Sequence, residues 1–370
     1  MLQLGKITIG VIIVCFVIGI GVGILMFAPF SPVAPFSPDY KIDQTGYPMP
    51  PTQKTDQPDH LVTAAGKQDY TLQVDGVERK FIAYRPTNLS DELKVPVVFM
   101  FHGSGGGGDL AYGETGWKAK ADAEGLMVIF PTALKYYVGS VEQTSTNPAK
   151  KSRTTYQTKW NSYELPRVLD SQYPDQKLYD DVAFTRAMVE FVDEKYAVDT
   201  DRLYATGFSN GAGFTSRLAL EMSDVFAAFA PTAAGALGRA SSQIKTTLAA
   251  DGIEVTPRPV IQIIGAVDPS LTNGAGVKAF PLDESAVSEG SPLKENYVNG
   301  FLDFEQLADE YTYSSTSDTV SFTYAQSLIA DDNEYQLIIV DGLKHIYPNG
   351  KNFNFDVADI FWPFFEQYSL

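Results

Sequence analysis

Cysteine and histidine are scarce in this chain. Its 370 residues include one cysteine, Cys15, and three histidines, His60, His102 and His345. A single cysteine excludes an intrachain disulfide and a metal cluster built on thiolates. With so few histidines, any general base of this type has to be one of three side chains.

Basic residues are also few relative to acidic ones. The chain has 28 lysines and arginines against 45 aspartates and glutamates, which gives a net charge of −17. Because such a chain repels phosphates, nucleic acid and anionic lipid surfaces are disfavoured as partners. A hydrophobic content of 44% and an aromatic content of 12% are typical of a globular body of enzyme size, with one large core or two modest domains.

Charge is absent from one long apolar run at residues 7–27. About 20 apolar residues can span a bilayer, and no basic residue lies between Lys6 and Lys41. We therefore expect residues 1–28 to form a transmembrane anchor, with the rest of the chain outside the cytoplasm. A cleaved signal peptide and a secreted protein are the alternative, although the run is long for a signal peptide and no small-x-small site closes it.

Prolines recur after this run, and the sequence APFSP at 28–32 is repeated at 34–38. Proline at this density opposes helix and sheet, so residues 29–65 are predicted to be a semi-rigid linker in which His60 has no role. A folded domain is predicted to span residues 66–370.

Within that domain, apolar strand-like runs alternate with helical patterns. Alternating residues around Asp75-Gly76 predict a β-hairpin with a type I′ turn. Buried strands are predicted at 97–101, 126–130, 226–231, 260–264 and 335–340, and helices at 115–124, 181–196, 212–222 and 355–368. This order indicates an α/β fold with a mostly parallel central sheet, helices on both faces and the hairpin at one edge. Two segments carry weaker patterns. Residues 134–159 are predicted to be a surface insertion, and residues 270–300 to form loops.

One short motif lies between a strand-like run and a helical pattern. Residues 207–211 read Gly-Phe-Ser-Asn-Gly, which fits G-x-S-x-G. A strand that turns sharply into a helix presents the hydroxyl of Ser209, and the following N–H, that of Asn210, points at a developing oxyanion. The motif predicts that Ser209 is a nucleophile; a chance match in a glycine-rich chain is the alternative.

A serine nucleophile needs a base, and the base needs a group that orients it. His345 follows the last predicted strand, and Asp268 follows the strand at 260–264. The order Ser209, Asp268, His345 is the one expected of α/β-hydrolases, so these residues are predicted to form a catalytic triad. In the alternative interpretation, Asp268 is a turn residue before proline and His345 a surface loop residue.

A glycine-rich loop follows the strand at 97–101. Residues 103–108 also fit G-x-G-x-x-G, the motif of a dinucleotide site. Such a site requires an acidic residue at the tip of the next strand, where none is present, and Asp109 would repel a pyrophosphate. The loop instead fits an HGGG-like segment, in which the N–H of Ser104 completes an oxyanion hole with that of Asn210. His102 is predicted to shape this loop and not to act as a base.

Several separate blocks resemble the group of α/β-hydrolases that contains polyhydroxybutyrate depolymerases and feruloyl and acetylxylan esterases. Residues 345–348, His-Ile-Tyr-Pro, are similar to that group's His-x-Trp-Pro-like turn, with tyrosine in place of tryptophan. Further similar blocks lie at 102–106, 116–131, 179–184, 198–212 and 226–231.

The resemblance implies a serine carboxylic-ester hydrolase with the triad Ser209, Asp268 and His345. It also implies that the enzyme would act through an acyl-enzyme on polyester, feruloyl or acetyl esters, without a metal or cofactor. Trp160-Asn161 looks like the group's Trp-Asn pair, which implies that Trp160 contacts substrate; a packed loop tryptophan is the alternative. The cysteines and separate polymer-binding domain of many secreted depolymerases are not visible in the sequence. A serine peptidase of the same fold and a non-catalytic membrane-tethered binding protein remain alternatives.

Overall fold

A computed structural model describes residues 65–90, 92–140, 153–234, 241–329 and 333–370. All of them belong to one compact unit, Thr52–Leu370. The predicted anchor, residues 1–28, and all but the last residue of the predicted linker, 29–65, lie outside these ranges. Among the described residues, no helix combines the length and apolarity needed to cross a membrane.

Strands and helices alternate along most of the described chain. The strands are β1 (Gly66–Val74), β2 (Val77–Arg85), β3 (Val95–Phe101), β4 (Met127–Thr132), β5 (Lys135–Ser140), β6 (Arg153–Thr158), β7 (Val198–Phe208), β8 (Ala228–Thr232), β9 (Val260–Gly265), β10 (Thr312–Ser315), β11 (Thr319–Tyr324) and β12 (Tyr335–Val340). The α-helices are α1 (Gly108–Glu114), α2 (Trp117–Glu124), α3 (Leu165–Val168), α4 (Asp181–Lys195), α5 (Asn210–Glu221), α6 (Ser241–Ala250), α7 (Pro269–Ala275), α8 (Asn299–Glu305) and α9 (Val357–Phe365).

The main sheet has the order β1-β2-β4-β3-β7-β8-β9-β12-β11-β10. Its centre, from β4 to β12, is parallel, which confirms the predicted mostly parallel sheet. The predicted hairpin of β1 and β2 forms one antiparallel edge. Asp75 and Gly76 both have positive φ, 54° and 75°, as a type I′ turn requires.

Alternate residues of the central strands pack against helices on opposite faces of the sheet. On one face, Val98 and Met100 join a core with Trp117 of α2 and Phe361 of α9. On the other face, the ring of Phe101 meets that of Phe214 of α5, with centroids 5.1 Å apart. Because both faces of the central strands are buried, their sequences are continuous apolar runs. Helices cover both faces of the sheet, as predicted.

The second antiparallel edge, β11 and β10, was not predicted. Its sequences, TYSS and TVSFTY, are rich in serine and threonine, and the buried residues of β11 alternate with partly exposed ones. An edge strand with one buried face carries a weaker apolar signal than a central strand, so the apolar pattern did not predict this pair.

The prediction that 270–300 forms loops was wrong. Most of this segment is helical: it contains α7, a 3₁₀-helix at Glu284–Val287, a π-helix at Lys294–Val298 and the start of α8. Asp268 caps α7, and Pro269 occupies its first turn. An aspartate followed by proline is a common helix start, so the sequence itself carried a signal for α7.

The ends of the predicted insertion, 134–159, form a small two-stranded sheet of β5 and β6. Tyr136 and Val138 of β5 are buried with Leu165 of α3, so this part of the insertion has a small core of its own. The described ends of the predicted surface insertion therefore form packed secondary structure.

Candidate active site

Ser209 lies at the turn between β7 and α5 with a backbone conformation that serine rarely adopts. Its φ is 53° and its ψ is −119°. Such a conformation costs about 1–3 kcal/mol and persists only where the surroundings enforce it. A serine on a strained turn between a central parallel strand and a helix is the arrangement of the α/β-hydrolase fold.

The two glycines of the motif are required by close approaches of the backbone. A Cβ on Gly207 would lie 2.4 Å from the carbonyl oxygen of Gly211. A Cβ on Gly211 would lie 2.1 Å from the carbonyl oxygen of Phe101, at the end of β3. The sharp turn and its contact with β3 therefore leave no room for a side chain on either side of Ser209.

The structure brings Ser209, His345 and Asp268 together, although they lie far apart in the sequence. His345 Nε2 lies 2.8 Å from Ser209 Oγ, and His345 Nδ1 lies 2.8 Å from Asp268 Oδ2. A carboxylate can only accept, so Nδ1–H donates to Asp268, and Nε2 is left to accept the hydroxyl proton of Ser209. The hydroxyl thus faces the basic nitrogen of an imidazole.

Asp268 is fixed by both of its carboxylate oxygens. It is fully buried, and its Oδ1 accepts the N–H of Ser270 at 2.8 Å while Oδ2 contacts His345. Asp268 caps α7, which begins just after the carboxyl end of β9, and this capping position fixes where the residue lies. A charged group that is buried and paired in this way orients its partner firmly.

The turn that carries His345 is held by Tyr347. The indole Nε1–H of Trp117 donates to the Tyr347 hydroxyl at 2.8 Å. The Tyr347 ring meets Phe208 edge-on, with centroids 6.0 Å apart, and the His345 ring lies 5.0 Å from Phe208. Tyrosine thus occupies a packed, hydrogen-bonded position in the His-Ile-Tyr-Pro turn.

The loop after β3 lies against the serine turn. A Cβ on Gly103 would lie 2.9 Å from the Phe208 ring, next to Ser209. Ser104 follows in the loop and is exposed, and Asn210 is the first residue of α5, where N–H groups have no partner within the helix. Within the described ranges, the N–H groups of Ser104 and Asn210 have no backbone hydrogen bond. Both are therefore available to an acceptor from outside the chain.

His102 is buried and neutral at the base of this loop. Its Nδ1–H donates to the Gly103 carbonyl at 2.7 Å, and its Nε2 accepts the N–H of Ala133 at 3.1 Å. Burial lowers its pKa to about 4. An imidazole with both nitrogens engaged by the backbone shapes the loop, in line with the sequence-based interpretation.

Trp160 is not placed where the sequence resemblance implied. Its side chain is fully buried and stacks on Phe214 with centroids 5.3 Å apart. A ring without exposed surface offers no contact to a substrate, so the packed-tryptophan alternative describes its position. Its indole Nε1–H donates to the His102 carbonyl at 2.9 Å.

Two polar residues beside the site were missed in the sequence. Thr158 Oγ1 donates to the carbonyl of Gly106, and Asn210 Nδ2 donates to Ser162 Oγ. Thr158 belonged to the predicted surface insertion, and no motif marks Ser162. Only the tertiary fold shows that Thr158 contacts the glycine-rich loop and that Ser162 contacts Asn210.

No family model matches the chain. The protein NocK of Nocardia uniformis subsp. tsuyamanensis, which carries an esterase name, is 31% identical over 197 residues, or 53% of this chain and 46% of NocK. The bifunctional acetylxylan esterase/xylanase XynS20E of Neocallimastix patriciarum is 24% identical over 163 residues, or 44% of this chain and 19% of that protein. Other relatives are named feruloyl esterase B and poly(3-hydroxyalkanoate) depolymerase C.

Among solved structures, an acetyl xylan esterase from Aspergillus awamori superposes with a TM-score of 0.49 and 16% identity, over 80% of this chain and 99% of that one. The chain spans less than half the length of NocK and about a fifth of XynS20E. The names of the sequence relatives confirm the resemblance to esterases and polyhydroxyalkanoate depolymerases that the sequence blocks indicated.

Proposed function

We propose that this chain is a serine carboxylic-ester hydrolase that works through an acyl-enzyme. One observation carries the proposal: the 2.8 Å contacts that join Ser209 Oγ to His345 Nε2 and His345 Nδ1 to Asp268. A nucleophile, a base and an orienting carboxylate in hydrogen-bond contact form the constellation that acyl transfer requires.

In the first half of the reaction, Ser209 Oγ attacks the ester carbonyl carbon while its proton passes to His345 Nε2. Asp268 stabilises the imidazolium that forms. The negative charge on the carbonyl oxygen is stabilised by the N–H groups of Ser104 and Asn210. The intermediate then collapses: the carbon–oxygen bond to the alcohol breaks, the alcohol takes the proton from Nε2, and the acyl group stays on Ser209.

In the second half, water releases the acid. His345 Nε2 accepts a proton from the attacking water, and the same two N–H groups stabilise the second oxyanion. The bond to Ser209 Oγ breaks and Oγ takes the proton back from Nε2, which returns the site to its starting state.

The substrate class follows the names of the relatives. Their names include feruloyl esterase, acetylxylan esterase and poly(3-hydroxyalkanoate) depolymerase. We therefore propose a feruloyl, acetyl or polyhydroxybutyrate-like ester as substrate. The uncharged apolar run at 7–27 supports an anchored protein whose catalytic domain lies outside the cytoplasm.

Hydrolysis of p-nitrophenyl acetate and butyrate by the purified full-length protein tests the reaction. Ser209→Ala should lower kcat by a factor on the order of 10⁶. Ser216→Ala is the matched control, because Ser216 is a buried serine of α5, the helix that follows Ser209, and its hydroxyl donates to the Ala212 carbonyl. It should retain the activity of the unaltered protein. Equal rates for the Ser209 variant and the unaltered protein would refute the assignment.

A fluorophosphonate probe separates the esterase from a non-catalytic binding protein. It should label the unaltered protein at Ser209 and leave Ser209→Ala unlabelled; no labelling of either contradicts the enzymatic proposal. Peptide substrates tested side by side address the peptidase alternative, and a higher kcat/KM on peptides than on esters would favour it.

Acetylated xylan fragments, feruloylated arabinose and short hydroxybutyrate oligomers distinguish the proposed substrates, and the one with the highest kcat/KM identifies the class. Cell fractionation tests the location. The proposal expects activity in washed membranes that detergent releases and salt does not, and activity confined to the cytosol would contradict it.

A further inference from the structure

Trp160 is bonded to both segments that supply the proposed oxyanion donors. Its indole Nε1–H donates to the carbonyl of His102, which lies two residues before Ser104. Its main-chain N–H donates to the side-chain Oδ1 of Asn210 at 2.7 Å, and Asn210 Nδ2 donates back to the Trp160 carbonyl at 3.2 Å. One residue therefore links the glycine-rich loop after β3 to the start of α5.

The direction of the Trp160 indole N–H is fixed by packing. The ring lies nearly parallel to Phe214, at an interplanar angle of 11°, and perpendicular to Phe101, with centroids 5.2 Å apart. The centroid of the His102 ring lies 5.1 Å from that of Trp160. A fully buried ring in such surroundings cannot reorient without opening the core.

Thr158 adds a second link between this part of the chain and the loop. We call residues 158–162 the bridging segment. The N–H of Gly105 donates to the Thr158 carbonyl at 2.9 Å, and Thr158 Oγ1 donates to the Gly106 carbonyl at 2.6 Å. The bridging segment is therefore hydrogen-bonded to the loop at two places: at His102, where the loop begins, and at Gly105 and Gly106 in its middle.

The bridging segment is itself anchored in a buried polar network. Asp181 Oδ2 accepts the N–H of Asn161 at 2.5 Å, and Arg217 Nη1 donates to the Asn161 carbonyl at 2.6 Å. Asp181 is paired with Arg79, and all three charged side chains are at most 3% exposed. Because breaking a buried charge pair is costly, this network resists displacement of the segment.

We propose that Trp160 is a positioning residue that sets the spacing between the two oxyanion donors, the N–H groups of Ser104 and Asn210. The proposal rests on the proposed esterase function. The oxyanion exists only after attack on the carbonyl, so an error in donor spacing lowers kcat and leaves substrate binding nearly unchanged. A misplacement of about 1 Å can cost about 10²-fold in rate.

Trp160→Phe in the full-length protein is the test, because phenylalanine keeps a ring against Phe101 and Phe214 but has no N–H for the His102 carbonyl. We expect kcat on p-nitrophenyl esters to fall about 10²-fold while KM changes less than about two-fold. Affinity for an alkyl boronate, which forms a tetrahedral adduct on the serine, should fall by a similar factor because the adduct also needs the hole.

Tyr84→Phe is the matched control. It also removes a side-chain hydrogen bond of a buried aromatic residue, here to Asp122 at 2.5 Å. Tyr84 lies on β2, which β4 and β3 separate from β7, the strand that ends next to Ser209. Its kcat should stay within about two-fold of the unaltered protein, as expected for a site without a link to the donors. Circular dichroism and urea unfolding confirm that both variants are folded.

A Trp160→Phe protein that is folded and has the kcat and boronate affinity of the control overturns the proposal. So does a variant in which KM alone changes. If Trp160→Phe does not fold, Thr158→Val takes its place, since it keeps the side-chain shape and removes the bond to the Gly106 carbonyl. We expect about a ten-fold fall in kcat with KM unchanged, and an unchanged kcat overturns the proposal.

Failure of the esterase function itself would be seen earlier and separately. In that case the unaltered protein shows no hydrolysis that depends on Ser209, and the positioning role falls with it. A fall in kcat at Trp160 in a protein whose hydrolysis depends on Ser209 supports both.

Discussion

Protonation of His102 should destabilise the folded protein as the pH falls below 6.5. Burial lowers the pKa of this imidazole to about 4, and in the folded protein its Nε2 accepts the N–H of Ala133. A proton on Nε2 would place two hydrogen-bond donors, Nε2–H and the N–H of Ala133, next to each other in a buried position. It would also place a charge beneath the loop that carries Ser104.

The size and sign of the effect follow from the two pKa values. The unfolded chain binds the proton with a pKa of about 6.5 and the folded chain only with a pKa of about 4. Between these values the unfolded state binds more protons, so the free energy of unfolding falls as the pH falls. The stabilisation is fully present above pH 6.5, and about 3 kcal/mol of it is lost once the pH is below 4.

Urea unfolding of the unaltered protein and of His102→Gln at several pH values between 7 and 4.5 measures this effect. Glutamine can place an acceptor near the Nε2 position and does not titrate. Between pH 7 and pH 5 the unaltered protein should lose about 2 kcal/mol more of its free energy of unfolding than the variant.

The comparison with the variant is necessary because other groups titrate in the same range. Burial raises the pKa of Glu305 to about 8, which changes stability with the opposite sign. The difference between the two proteins removes this contribution. Parallel pH profiles for the unaltered protein and His102→Gln would refute the assignment of a buried, neutral His102.

Three further predictions concern the turn, a buried carboxyl group and the triad. Gly211→Ala should lower the free energy of unfolding by about 3 kcal/mol because its Cβ would lie 2.1 Å from a carbonyl oxygen; Gly113→Ala, with open space around it, should raise the same quantity by about 0.5–1 kcal/mol. Thermal unfolding checks both, and equal effects would contradict the packing argument. Glu305→Gln should be more stable than the unaltered protein above pH 8, by about 5 kcal/mol. Because burial raises the pKa of Glu305 from about 4.5 to about 8, the unaltered protein loses stability as the pH rises between these values. Urea unfolding at pH 5 and 9 measures the difference, and equal stability of the two proteins at pH 9 would disprove it. Asp268→Asn should lower kcat on a p-nitrophenyl ester by a factor on the order of 10⁴ with little change in KM, and a kcat near that of the unaltered protein would exclude its orienting role.

Features with a local chemical cause were predicted correctly from the sequence. The Asp75-Gly76 turn needs two residues with positive φ, and the dipeptide signals this by itself. The strands at the parallel centre of the sheet can be recognised in the sequence as apolar runs, because both of their faces are buried. For the site, motif spacing and chain order named three residues that the fold brings into contact.

Features that depend on long-range packing could not be predicted in this way. The Trp160-Asn161 pair predicted that Trp160 contacts substrate. Two adjacent residues in a sequence carry no information on the direction in which their side chains point, so this prediction was wrong. Its burial between β3 and α5 is decided by Phe101 and Phe214, which come from different parts of the chain. The helices within 270–300 were missed because each is only a few residues long, too short for a helical period to stand out.

The strained turn explains why the proposed oxyanion hole needs two separate segments of the chain. The N–H of Ser209 donates to the carbonyl of Thr232 on β8, at 3.0 Å, and helps to hold the turn. Since this donor is engaged, the serine turn offers the oxyanion the N–H of Asn210, and the second donor has to come from the loop after β3. Two donors on different segments keep a fixed distance only if something connects them, because each segment can shift on its own. The hydrogen bonds of Trp160 to His102 and Asn210 provide that connection, so a buried tryptophan without contact to substrate can still govern the rate of the reaction.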